Sequence, residues 1–213
     1  MEPIDNFKLI YPLLDFSKED SFYMISLILR KKDQTTTFGN TNNSARIIRN
    51  YYVYTEDYLR KKENEIKELC NLFKCRAGII LNKRSDEQLA FSLNKELANR
   101  LEKKDYKVVN IVDSVIGSLT SKDKTWIIDF DLKCTQSLVQ LINIIRQCKS
   151  EYTDPIVNIL DTYSGHHIIT KPFDVKDFID RVRVCGNPNL STFKADDIHK
   201  NNPAALYYPV QNP

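Results

Sequence analysis

The heptapeptide Thr125-Trp126-Ile127-Ile128-Asp129-Phe130-Asp131 decides how this chain is read. Trp126, Ile127, Ile128 and Phe130 are the aromatic and β-branched types that suit a pleated, buried surface, and an apolar run this short predicts a strand. Side chains alternate across a strand, so Asp129 and Asp131 share one face while Trp126, Ile128 and Phe130 share the other. Two neighbouring carboxylates repel each other, and an apolar strand has no structural need of them. The pair makes sense if a divalent cation, Mg2+ or Mn2+, bridges it, as at sites that hold metal against a triphosphate. The plainer alternative is a strand that ends there, its carboxylates bonding loop amides and water.

On the C-terminal side of this strand, residues 135–150 (TQSLVQLINIIRQCKS) predict a helix with Leu138, Ile142, Ile145 and Cys148 inward. PIVNILD (residues 155–161) and HHIITKPF (residues 166–173) predict two further strands. Asp174 then caps a short helix presenting Val175, Phe178, Ile179 and Val182. From Cys185 onward, four prolines and several asparagines predict an irregular tail. On the N-terminal side, Ser21–Asp33 and Ala45–Thr55 read as strands flanking a polar, turn-rich loop, Gln34–Ser44. Thr55 opens an amphipathic helix with Leu59, Ile66, Leu69, Cys70 and Phe73 at helical spacing, and Arg76–Asn82 is a short strand. Ser85 and Gln88 form a capping box for a helix whose Leu89, Leu93, Leu97 and Leu101 predict a core stripe, while Tyr106–Gly117 is ambiguous. The expected fold class is α+β (mixed α/β): an RRM-like antiparallel or mixed sheet with helices packed on it, plus an N-terminal α/β lobe. The expected division is a basic lobe at residues 1–118 and a catalytic-type lobe at 119–213, joined as one compact unit without a linker.

Composition sets the outer limits. The 213 residues suffice for one sizeable core, and no run approaches the length of a membrane helix. The start has no secretory pattern, and five scattered cysteines fit a reducing compartment, so a cytoplasmic location is expected. A net charge of +3 hides an asymmetry: residues 1–104 hold 19 Lys and Arg against 15 carboxylates, and residues 105–213 hold 12 against 13. The basic first half, including Arg30, Lys31, Lys32, Arg46, Arg49, Arg60, Lys61 and Lys62, suits a polyanion, with Arg76, Asn82, Lys83 and Arg84 as candidate nucleic-acid contacts. No phosphate-binding glycine loop and no paired CxxC zinc motif is present.

A second constellation, Tyr163-Ser-Gly-His-His-Ile-Ile-Thr170, lies on the next predicted strand but one. Ser164 and Gly165 permit a tight turn. His166 and His167 point to opposite faces, so one of them reaches the carboxylate face, where an imidazole can donate to a phosphate. Asp-x-Asp followed by this Ser-Gly-His resembles the archaeo-eukaryotic primase (primase-polymerase) superfamily over about residues 120–210. The resemblance implies that Asp129 and Asp131 bind Mg2+ or Mn2+, that Ser164, Gly165 and His166 or His167 serve the incoming nucleotide, and that a third acid completes the metal site. Asp197 and Asp196 are the candidates for that acid, with Asp174 as a rival. It further implies a nucleotidyltransferase acting on a single-stranded template with nucleoside triphosphates, a helicase or other replication protein as a possible partner, and a divergent phage-type source in the host cytoplasm. The segment ALYYP (residues 205–209) lacks the arginine that family members often carry after the third acid. Two other readings stay open: a catalytically inactive nucleic-acid-binding or replication-accessory protein, and a metal-dependent nuclease.

Overall fold

The computed structural model describes residues 2–33, 45–109, 111–121, 123–191 and 193–210; the expected loop Gln34–Ser44 lies outside them. The chain runs β1 (Ile4–Asp5), α1 (Phe7–Ile10), β2 (Ser21–Leu29), β3 (Arg46–Val53), α2 (Glu56–Phe73), β4 (Arg76–Ser85), α3 (Asp86–Glu102) and α4 (Ile111–Ser118). It continues with β5 (Trp126–Phe130), α5 (Thr135–Gln147), β6 (Ile156–Asp161), β7 (His166–Thr170), α6 (Val175–Val184), β8 (Ile198–His199) and β9 (Ala204–Tyr208). The α+β class is present, and the strands pair antiparallel in two sheets of order β1-β9-β4-β2-β3 and β6-β7-β5-β8.

From β5 to β8 the order strand, helix, strand, strand, helix, strand gives a sheet whose two middle strands, β7 and β5, are the third and first of the set. This is the split β-α-β arrangement that RRM-like folds share. The alternation along β5 holds. Trp126, Ile128 and Phe130 enter a core with Leu141 and Ile145 of α5 and Phe178 and Val182 of α6, whereas Ile127 enters a core shared with the first sheet. That shared core also takes Leu160 and Ile169 of the second sheet, Ile25 and Leu27 of β2, and Leu59, Ile66 and Cys70 of α2. The two sheets therefore bury apolar faces against one another, and no linker separates them.

Local signals placed the helices. The Thr55 hydroxyl accepts from the Tyr58 amide, the Ser85 hydroxyl from the Gln88 amide, and the Asp174 carboxylate from the Lys176 and Asp177 amides. α2 ends at Lys74, which takes a left-handed φ of 52°. No helix among the described residues is long and apolar enough to cross a membrane.

Four expectations need correction. The segment after Cys185 is not an irregular tail, because it supplies β8 and β9. β9 is buried on both faces, so it shows no polar alternation, and Pro203 fixes its start. β9 also hydrogen-bonds into the first sheet between β1 and β4, although it lies within residues 119–213. Leu101 is 61% exposed: Leu89, Leu93 and Leu97 pack on the eight-residue α4 and its flank, and Leu89 also on Phe22, Met24 and Ile80, but the stripe's last residue lies beyond this cover. The strand read over Ser21–Asp33 stops at Leu29, and Lys31–Asp33 forms a 3-10 turn.

Asn82, buried in β4, clamps the two lobes. Its Oδ1 accepts from the Thr125 amide at 2.7 Å, and its Nδ2 donates to the carbonyls of Thr125 at 3.0 Å and Lys200 at 2.7 Å. Truncating it strands three backbone groups beside β5 and β8. Asn82→Ala is expected to cost about 2–3 kcal/mol, read as a lower urea midpoint with an unchanged denaturant slope.

Candidate functional site

Asp129 stands at the last turn of the β5 pleat, on the face that carries Ile127 into the shared core. Its register partner on β7 is His167, and His199 on β8 is the partner of Ile127 two residues earlier. The strand order thus brings Asp129, His167 and His199 to one face. Asp131 lies just beyond β5, exposed, and its Oδ1 accepts the hydroxyl of Ser164. Ser164 belongs to the turn Thr162–Gly165, closed by the Thr162 amide donating to the Gly165 carbonyl at 2.9 Å and the Gly165 amide donating to the Thr162 hydroxyl at 3.1 Å.

His167 is buried at 7% exposure. Its Nδ1 accepts the amide of Ala205 on β9 at 3.0 Å, so the neutral ring carries its proton on Nε2, which faces Asp129 Oδ1 at 3.6 Å. That separation is too long for a hydrogen bond and leaves an electrostatic contact. Burial, with Arg30 and His199 adding positive charge, holds the imidazole down to a pKa of about 4. Asp129 moves the opposite way. Burial and the Asp131 charge raise its pKa, Asp197 adds to the rise, and His199 and Arg30 oppose it. Asp131, Asp197, His199 and Arg30 thus all bear on the proton affinity of Asp129, and the strand register sets His167 beside it.

The other expected residues divide. Asp197 lies in a 3-10 turn (Ala195–Asp197), its Oδ2 accepting the Lys194 amide at 2.7 Å, while Asp196 is exposed and Asp174 is occupied as the cap of α6. His166 is turned away from the acids and meets Asp161 Oδ1 through Nδ1 at 3.1 Å. Arg76, Asn82 and Arg84, read as nucleic-acid contacts, are buried with internal partners. Arg76 bonds Asp33 at 2.8 Å and lies over the rings of Tyr163 and Tyr208; Arg84 bonds the Leu119 carbonyl; Asn82 is the clamp already described. Lys83 pairs with Asp15 at 3.2 Å. Strand alternation hides every second cation, and a basic sequence cannot say which.

The sequence pattern marks Arg30 only as one cation of the basic first half and does not mark His199 at all. Arg30 follows the last residue of β2, and His199 sits on a two-residue strand inside a polar, proline-containing stretch. Only the pairing of β8 with β5 reveals His199.

Among the described residues no three His, Cys, Asp or Glu side chains form a ready metal cage. Mg2+ does not need one, because it keeps several waters and is held by one or two carboxylates with substrate phosphates. Two hard-oxygen carboxylates at one strand end, one of them with raised proton affinity, fit such an ion. Comparison with family models, curated proteins and solved structures finds no match to this chain.

Gly165 is required where it stands. A Cβ there would overlap the Phe130 carbonyl oxygen and come within 2.6 Å of the Leu132 amide, both of them backbone. Gly165→Ala is therefore expected to cost about 2–3 kcal/mol in thermal unfolding and to pull Ser164 off Asp131. The His167 ring predicts a pH effect. Its folded pKa of about 4 lies below the ordinary 6.5, so the unfolded chain binds the proton first as the medium acidifies. In the metal-free protein this group's contribution is intact above pH 6.5 and is lost between about 6.5 and 4, at up to about 1.4 kcal/mol per pH unit. Urea titrations across that window should show the slope reduced in His167→Asn.

Proposed function

We propose that the chain is a metal-dependent nucleotidyltransferase of primase or primase-polymerase type, extending or initiating a strand on a single-stranded template. One observation carries the reading: Asp129 and Asp131 stand at one end of β5, with His167 and His199 on the strands paired to either side of it. A set of acids alone would suit structural roles. Acids opposed by two cationic or protonatable groups suit a metal-bound polyphosphate, which brings both signs of charge to the same place.

Asp129 and Asp131 would hold Mg2+ or Mn2+, with waters and substrate phosphate completing its shell, and Asp197 would add negative charge nearby. A metal bound there would supply charge neutralisation for phosphoryl transfer. The chain's own residues do the positioning. Ser164 donates to Asp131 and fixes its carboxylate. His167 keeps its Nε2–H toward Asp129 and its Nδ1 on Ala205, so it acts as a positioning residue rather than as the nucleotide contact that the sequence resemblance implies. Arg30, exposed at the end of β2, and the half-exposed His199 are the groups left to meet a triphosphate. The binding-module alternative loses support because Arg76, Asn82 and Arg84 are engaged inside the protein.

The test is nucleotide incorporation on a single-stranded template, with and without primer, in Mg2+ and in Mn2+. Asp129→Asn and Asp131→Asn are each expected to lower incorporation at least about a hundredfold, since metal clamping of phosphate is worth several kcal/mol. Asp129→Asn is also expected to raise the melting temperature of the metal-free protein, because the native site disfavours the ionised carboxylate. Full activity in the Asp129→Asn, Asp131→Asn double variant would sink the assignment, as would template degradation that proceeds without nucleoside triphosphates.

A further inference from the structure

The helix α3 is 17 residues long, yet it buries none of its side chains completely. Leu89, Leu93 and Leu97 rest on α4 and its flank, and the opposite side of the helix stays open. Phe91 stands on that open side, 70% exposed. The exposed Asn94 and Ala98, roughly one and two turns further on, are short and leave the ring uncovered.

Glu87 and Lys95 lie four residues before and four residues after Phe91, a spacing that puts all three on one face. Both are exposed, and neither has an ion pair or a side-chain hydrogen bond among the described residues. They are about 12 Å apart along the helix axis, too far to pair with each other. The helix offers no substitute: the positions three and four away from Lys95 hold Phe91, Ser92, Ala98 and Asn99, and those following Glu87 hold Ala90 and Phe91. By contrast, Glu96 pairs with Arg100 at 2.8 Å, and Asp86 accepts the Tyr54 hydroxyl at 2.9 Å.

An acid and a base set at equal distances on either side of an exposed ring are self-complementary about a two-fold axis. Where two α3 helices cross antiparallel at Phe91, Glu87 of each copy meets Lys95 of the other, and the two phenyl rings pack between the ion pairs. The short Asn94 and Ala98 let the helices approach closely. The surroundings have the same polarity. At the start of α3, Asp86 bonds the Asp20 carbonyl through its amide, and the exposed Glu19 and Asp20 outnumber Lys18. Past its end, the exposed Lys103, Lys104 and Lys107 outnumber Glu102 and Asp105. An antiparallel crossing turns each acidic start toward a basic end, whereas a parallel one would set like charges together.

We propose that α3 is a self-association surface, through which two copies of this chain pair by an antiparallel crossing at Phe91 with reciprocal Glu87–Lys95 ion pairs. The inference does not rest on the proposed activity. One helix face is smaller than the roughly 800 Å² per partner of a standard interface, so a reversible dimer with a Kd on the order of 10–100 µM is expected.

The experiment is sedimentation equilibrium of the full chain over about 5–500 µM, a range that brackets this Kd. A monomer–dimer equilibrium is expected for the wild type, weakened at least about tenfold in Phe91→Ser. Lys95→Glu and Glu87→Lys each set like charges against each other twice across the axis, and each is expected to weaken the dimer at least about fivefold. The double variant Glu87→Lys, Lys95→Glu restores the opposite pairing and is expected to return to within about threefold of the wild type. Glu87→Lys puts a cation in the first turn of α3, so circular dichroism accompanies every variant; should that one unfold, Phe91→Ser and Lys95→Glu decide. A wild type that stays monomeric across the range, a dimer that Phe91→Ser or Lys95→Glu leaves unchanged, or a folded double variant no tighter than the single ones would overturn the inference.

Discussion

The hydrogen bond from the Ala205 amide to Nδ1 of His167 is the constraint on which the site depends. It joins the last strand of the first sheet to a central strand of the second. By occupying Nδ1 it fixes the tautomer, while burial of the ring keeps the imidazole neutral. Asp129 then faces a fixed N–H dipole in place of a mobile or charged ring. Shifting β9 by one residue would present a different backbone group to His167 and undo all three effects together.

Asp129 sits where its charge costs stability. Burial against the shared core makes Asp129 reluctant to ionise, and the nearby carboxylates add to that reluctance. A protein selected only for stability would place an apolar or amide residue there. An acid at the end of an otherwise apolar strand is a cost that the proposed bound cation would offset.

What the sequence made legible follows from what local patterns encode. Alternation in residues 125–131 placed Asp129 on the correct face, and the caps at Thr55, Ser85 and Asp174 marked helix starts, because these are effects of adjacent residues. The pairing of β5 with β8 and of β9 with β4 joins residues far apart in sequence, and neither β8 nor β9 shows an alternating pattern. For that reason local patterning does not reveal His199, and the segment after Cys185 reads as irregular. Charge misled for a related reason. Arg76 and Arg84 belong to a strand with one covered face, where cations satisfy carbonyls, carboxylates and rings instead of solvent. Choosing between His166 and His167 needed the register, which assigns the first to Asp161 and the second to Asp129.

The return of β9 to the first sheet also shapes how the chain acquires its structure. β4 and β1 both depend on β9 as a neighbour, yet β9 comes after every element of the second lobe. During synthesis the first sheet therefore waits with an open edge on β4 while the split β-α-β lobe emerges and folds. Closure of the sheet is a late, long-range event of the kind that slows folding. Until β9 docks, His167 lacks its Ala205 partner, so the site assembles only as the last pairing of the fold is made.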